Sequence, residues 1–227
     1  MLYTEETVKA NIRNREGDRV FYLGKGDTLT PGARDWLRQQ RIEVMDAALA
    51  KPERYRLLGG GYTEEKPEHM THLNAELLVP KTHPRIAFRG AMDTLEAELI
   101  LAQLAAPGCA VALGEVLTLA RRLIRCDVLE EAVGDFTLCG LTEAEQRSHS
   151  HRPQDFYGQP HFMPEAADGM TIARINRARC AAREAELRAA EAFSDREGNP
   201  TREDILRALN RMSSMLYILM IREKAAR

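Results

Sequence analysis

Long apolar runs are missing from this chain of 227 residues: no stretch reaches the roughly 18 residues that a membrane-crossing helix needs. Paired cysteines are missing as well. The four present, Cys109, Cys126, Cys139 and Cys180, form no Cys-x-x-Cys and no matched spacing, which argues for isolated thiols in a reducing compartment and against a disulfide framework or zinc ribbon. Neither sign of charge dominates. With 32 basic and 34 acidic side chains the net charge is −2, so no overall positive field points to nucleic acid. Residues Met1 to Glu6 offer neither a basic opening nor an apolar stretch, and a secretory signal is not expected. No Gly-x4-Gly-Lys-Ser/Thr occurs, so a P-loop is not expected to hold phosphate, and no Glu-x-x-His occurs, which argues against a ferritin-like metal bundle. What is present, 44% hydrophobic and 29% charged residues, is the balance of a globular protein with its own core, expected in the cytoplasm.

Periodicity divides the chain into three parts. Residues 1–50 read as a small α/β unit. Arg19 to Leu23 is rich in β-formers, Gly24 to Asp27 is turn chemistry, and Arg41 to Met45 is a second short strand. Between them Thr30 caps a helix that begins with Pro31. Residues 51–75 are polar, carry Gly59-Gly60-Gly61, and read as a linker or mobile loop. Residues 76–227 read as helical from about 90 onward. Met92, Leu95, Leu99 and Ala102 mark one stripe; Val116, Leu117, Ala120, Leu123 and Ile124 mark another. Met170 to Phe193 is mostly Ala, Arg and Glu, with high helix propensity. A last helix carries Ile205, Leu209, Met212, Leu216 and Leu219 or Met220, and Thr201 to Asp204 resembles a capping box at its start. The expected fold is mainly α, an antiparallel bundle of four or five helices behind a small N-terminal α/β unit.

Three clusters could carry chemistry. Arg179, Arg183 and Glu186 lie at i, i+4 and i+7 and share one helix face. Two arginines so spaced repel unless an anion lies between them, and arginine suits forked contacts to phosphate. The bland alternative is a solvated face with an Arg183–Glu186 pair, worth little. Lys81, Arg85 and Arg89 stand ahead of a helix start, where anions are favoured; a basic loop before an amphipathic helix is the plain alternative. The histidines, at 69, 72, 83, 149, 151 and 161, could ligate metal, but each alone is more often an ordinary polar residue.

Taken in order, several segments resemble the cobalamin adenosyltransferases of the PduO/EutT type. Val79 to Ile86, with Lys81 and Arg85, followed by Gly90, Asp93 and Leu95, is similar to that family's Lys-Asp-x-x-Arg-Ile-Glu-Ala-Tyr-Gly-x-x-Asp-Glu-Leu stretch. Phe162-Met163-Pro164, then Arg179-x-x-x-Arg183-x-x-Glu186, resembles its Phe-x-Leu-Pro segment and arginine helix. Leu209 to Tyr217, with Asn210, resembles its final Leu-Asn-Arg-Leu-Ser-Asp helix. Leu29 to Arg34, Thr71 to Glu76, Arg125 to Leu129, Gly140 to Thr142 and His161 to Ala166 lean toward the ethanolamine-utilisation branch. The chain departs from the pattern in four places, one being that the family's Gly/Thr-rich phosphate loop is not recognisable at its N-terminus. The branch's cysteine-rich metal motif is absent before Thr71, so no metal site is expected; Glu184 replaces an arginine; Ser214 replaces the aspartate that partners the first helix arginine.

The resemblance implies transfer of the 5′-deoxyadenosyl group of ATP, with Mg²⁺, to the cobalt of a reduced corrinoid such as cobalamin. It implies Arg183, Arg179 and Glu186 as catalytic residues and Lys81, Arg85, Asp93, Asn210 and Phe162 as contacts to nucleotide or corrinoid. It further implies a homo-oligomer, trimer or dimer, with sites between subunits. A corrinoid reductase and ethanolamine ammonia-lyase would be partners, in the cytoplasm or a bacterial microcompartment, with no nucleic acid and no membrane. Two alternatives stay open: a non-catalytic carrier of adenosylcobalamin, and a structural helical module of a microcompartment.

Overall fold

The computed structural model describes residues 1–15, 18–49, 55–74 and 77–226. The chain forms two compact units, residues 1–54 and 55–227. In the first, β1 (Leu2–Tyr3) leads into α1 (Glu5–Ala10), then β2 (Arg13–Arg15), β3 (Asp18–Leu23), β4 (Thr28–Leu29), α2 (Pro31–Gln39) and β5 (Glu43–Asp46). Strands β3 and β5 pair in parallel, Val20 opposite Glu43 and Phe21 opposite Val44, so α2 is the crossover of a β-α-β unit. Thr30 Oγ1 accepts the Ala33 N–H and Pro31 occupies the first turn, as the sequence predicts. Val8, Phe21, Ala33, Leu37 and Ile42 close the small core. The second strand starts at Glu43 rather than Arg41, because Arg41 takes a left-handed φ of 53° as the chain leaves α2.

The second unit opens with a sheet where a linker or mobile loop was expected. Strands β6 (Tyr55–Leu57), β7 (Tyr62–Thr63), β8 (Met70–His72) and β9 (Leu77–Pro80) assemble in the order β7-β6-β9-β8. The two outer strands are short and polar, and what holds them is pairing with a neighbour. β9, with Leu78 and Val79 buried, pairs with both β6 and β8, and β6 carries β7. The Thr71-to-Glu76 segment ends on Ala75 and Glu76, which lie outside the described residues.

The bundle follows: α3 (Pro84–Ala105), α4 (Ala110–Leu129), a hairpin of β10 (Thr137–Leu138) and β11 (Leu141–Thr142), α5 (Glu143–His151), α6 (Pro153–Tyr157), α7 (Gly169–Ala192) and α8 (Glu203–Ala225). Helix α3 starts at Pro84, earlier than periodicity suggested. His83 is its N-cap, with Nδ1 accepting the Arg85 N–H at 3.2 Å, and proline suits the first turn. Burial and the nearby Arg85 hold the His83 pKa below its ordinary value, which keeps that nitrogen free to accept. Arg85 and Arg89 therefore sit on the first helical turns, not ahead of them.

Cross-helix contacts give the directions. Glu98 meets Arg177 and Ala105 meets Thr171, so α3 and α7 are antiparallel. Arg85 with Asp127 and Glu96 with Arg121 make α3 and α4 antiparallel, and Asp168 with Lys224 and Glu186 with Asn210 do the same for α7 and α8. Helix α5 joins alongside α8 through Glu143 and Arg207. The expected stripes are buried, and the alanines of α7 do more than favour helix: Ala178, Ala181, Ala182, Ala185 and Ala189 form a fully covered small-residue face that lets α3 and α8 approach. Helix α8 is buried around most of its girth. No single helix among the described residues is long and apolar enough to cross a membrane. All four cysteines are free; burial beside Glu223 pushes the Cys109 thiol up to about 12, which makes it inert.

The start of α8 corrects the expected capping box. Thr201 donates its hydroxyl to the Phe193 carbonyl and does not cap. Asp204 instead accepts from Arg202 and from the Val133 N–H, which tie it to the loop after α4. These bonds lower its pKa from 3.8 to about 2. A depressed folded-state pKa stabilises above the unfolded value and is lost as pH falls through the folded one. Asp204→Asn is therefore expected to be less stable than wild type near neutrality, with the gap closing between pH 3.8 and about 2. Urea denaturation across that range checks it; a gap independent of pH would show that the charge of Asp204 is not what stabilises.

Candidate active site

Arg179 and Arg183 reach the same pocket. It has a volume of about 320 Å³ and is lined from α7 by the two arginines, from α8 by Ser213, Ser214 and Tyr217, and from α5 by Ser150 and His151, with His161 at its edge. Arg179 donates to the neutral Asn176 at 3.0 Å, and neither arginine has a carboxylate partner among the described residues. The solvated Arg183–Glu186 pair does not form. Glu186 accepts instead from Asn210 Nδ2 at 3.0 Å, and Glu184 turns outward to pair with Arg188 at 3.1 Å. Two guanidinium groups thus share one concave, polar surface with no anion to balance them, an arrangement that favours phosphate or another polyanion.

Hydroxyl and imidazole groups complete the pocket. Ser213 and Ser214 both donate to the Asn210 carbonyl, leaving their lone pairs for a ligand. Ser214 therefore offers no charge to Arg179, and Asn176 fills that place. His161 Nε2 lies 3.1 Å from the His151 carbonyl, so it must donate; in the neutral ring Nδ1 then accepts from the Tyr217 hydroxyl, also at 3.1 Å. The Tyr217 oxygen in turn accepts the Phe162 N–H at 3.2 Å. This chain straps the residues around 161 to α8, and Lys224 adds a second tie through Asp168 while lying 5.3 Å over the Phe162 ring. His149, two residues before His151 and so on the opposite side of the helix, stacks on Phe156.

Other expected residues fall elsewhere. Glu186 and Asn210 line a neighbouring pocket with Leu206, Arg207 and Arg211. Phe162 is half-buried and stacks near Tyr217. Asp93 is exposed on α3. Lys81 is exposed, 3.8 Å from Glu68, and does not line the arginine pocket of its own chain. Arg85 is committed: its Nε donates to Asp127 Oδ1 at 2.8 Å and its Nη2 to the Asp127 carbonyl. Arg89 donates to the other carboxylate oxygen at 2.6 Å, so two arginines clamp a fully buried aspartate across α3 and α4. Sequence reasoning passed over His151, His161 and Tyr217 as site residues. The signals were the close His149–His151 pair, the His161-to-Ala166 segment and the tyrosine that ends the Leu209-to-Tyr217 segment.

A family model described as cobalamin adenosyltransferase matches residues 61–223. Over 242 aligned positions the chain is 31% identical to the corrinoid adenosyltransferase EutT of Salmonella typhimurium, covering 96% of this chain and 90% of that protein. It is 30% identical to the corrinoid adenosyltransferase EutT of Escherichia coli K12 over the same shares.

Proposed function

The chain belongs to the cobalamin adenosyltransferase family, and from that premise we propose how its own residues move the 5′-deoxyadenosyl group of ATP onto the cobalt of a corrinoid. The observation that carries the reading is the pair of uncompensated guanidinium groups of Arg179 and Arg183 in one pocket. Reduced cobalt, as Co(I), supplies the electron pair that forms the cobalt–carbon bond at C5′. The C5′–O bond breaks, and its pair leaves on the triphosphate. Arg183 and Arg179 stabilise the charge that grows on that oxygen; Mg²⁺ brought in with ATP would neutralise part of the same charge. Holding C5′ in line with cobalt supplies roughly 7–11 kcal/mol of the barrier through orientation alone. Glu186 and Asn210, one turn along, take the nucleoside. Phe162, strapped to Tyr217, forms part of the apolar wall for the corrinoid.

Lys81 acts from a neighbouring subunit in a homo-oligomer, trimer or dimer, whose sites lie between chains; its absence from the pocket of its own chain supports this. The reduced corrinoid comes from a corrinoid reductase, and the product goes to ethanolamine ammonia-lyase in the cytoplasm or a microcompartment. An anaerobic assay with ATP, Mg²⁺ and chemically reduced cobalamin tests the reading. Loss of the Co(I) spectrum with release of one triphosphate per cobalt–carbon bond is expected. Tight binding of adenosylcobalamin without turnover would point to a carrier instead.

A further inference from the structure

We propose that Arg211 is a positioning residue that fixes the orientation of Asn210, and through it Glu186, for the ribose diol of the nucleotide. The proposal rests on the adenosyltransferase reading of the same site. Arg211 is only 9% exposed, yet it has no carboxylate ion pair among the described residues. Its Nη2 donates to the neutral Asn210 Oδ1. Burial and the like charge of Arg147 lower its pKa, with Glu143 and Glu186 acting in the opposite direction. A largely covered cation whose hydrogen-bond partner is a neutral amide forms no ion pair here, so ion pairing does not account for its place.

Orientation does. A guanidinium can only donate and an ionised carboxylate can only accept. The Asn210 amide lies between the two, giving its oxygen to Arg211 and its nitrogen to Glu186 Oε1 at 3.0 Å. Only one of its two flipped states satisfies both neighbours. That state leaves the second Nδ2 hydrogen of Asn210, a donor, and the second oxygen of Glu186, an acceptor, outside the bond between them. Both residues line the pocket that also holds Leu206 and Arg207, and Glu186 is three residues from Arg183 on α7. A donor next to an acceptor matches two vicinal hydroxyls, each able to give and take one hydrogen bond. Without Arg211 the amide is free to flip and turn its oxygen on the carboxylate.

Steady-state adenosylation with ATP and with 2′-deoxy-ATP tests this, using wild type, Arg211→Met, Arg211→Lys, Asn210→Ala and the Arg211→Met/Asn210→Ala double variant. Wild type is expected to prefer ATP. Arg211→Met should raise KM for ATP about tenfold, the order of one charge-assisted hydrogen bond, with kcat within about twofold, and should erase most of the preference. Arg211→Lys should recover part of it. The double variant should be no worse than Asn210→Ala, because Arg211 acts through Asn210. An unchanged ATP to 2′-deoxy-ATP ratio in Arg211→Met, additive losses in the double variant, or no preference in wild type would overturn the proposal. Should Arg211→Met not fold, Arg211→Lys and Asn210→Ala carry the same comparison. Absence of turnover in wild type counts against the adenosyltransferase reading alone; calorimetric binding of the two nucleotides to the same variants then tests Arg211 without turnover.

Discussion

Arg183→Ala is expected to lower kcat/KM for adenosyl transfer by roughly 10²–10³-fold while the protein stays folded, the order seen for loss of one preorganised donor to a developing oxyanion. Charge builds on the departing triphosphate only as the C5′–O bond breaks, so the loss should fall more on kcat than on ATP affinity. Arg183 is exposed on α7 and makes no carboxylate ion pair among the described residues, so its removal leaves no buried partner behind. Lysine there should restore only part of the rate, since it lacks the planar fork. Arg188 is the internal control. It bridges Glu184 and Glu191 on the outer face, each at 3.1 Å, and Arg188→Ala should leave both stability and rate close to wild type. Steady-state assays with circular dichroism on the three variants decide the matter. A folded Arg183→Ala protein with wild-type turnover removes this arginine from the mechanism.

Asp127→Ala is expected to be the most damaging change away from the pocket. Its carboxylate is fully buried and neutralises two guanidinium groups, Arg85 at 2.8 Å and Arg89 at 2.6 Å. Removing one member of such a cluster leaves the others charged and desolvated, at a cost of about 3–5 kcal/mol. For a unit of this size that corresponds to a fall in Tm of roughly 6–20 °C. Replacing the whole cluster at once with apolar residues of similar volume should cost far less, because no charge is stranded. Thermal and urea unfolding of Asp127→Ala and of Asp127→Leu/Arg85→Met/Arg89→Met separate the two cases. If the single variant loses less than about 1 kcal/mol, or the triple variant is the weaker, the aspartate is not the counter-ion that holds α3 to α4.

The same cluster shows where reading the sequence stops. Arg85 sits in a segment that resembles the family's ligand-contacting stretch, and its residue type suits phosphate. The fold gives its fork to an aspartate 42 residues away. Arg179 and Arg183 went the other way. Their spacing alone was compatible with a plain surface pair, and the structure leaves both without a carboxylate among the described residues by drawing Glu186 to Asn210 and Glu184 to Arg188.

What the sequence determined by itself is short in range. Apolar periodicity marked α3, α4 and α8, Thr30 with Pro31 marked the start of α2, and the i, i+4 spacing placed the two arginines on one face. These follow from helix geometry and capping, which act over a few residues and are written in neighbouring side chains. Ordered motifs along most of the chain added the family. Tertiary structure decided the rest: the sheet of β6 to β9, whose short outer strands have no periodicity of their own, the tie of His161 to Tyr217 across 56 residues, and the reach from Arg211 through Asn210 to Glu186. Strand pairing and hydrogen bonds between helices depend on which surfaces packing brings together, and no local pattern of residues specifies that partner.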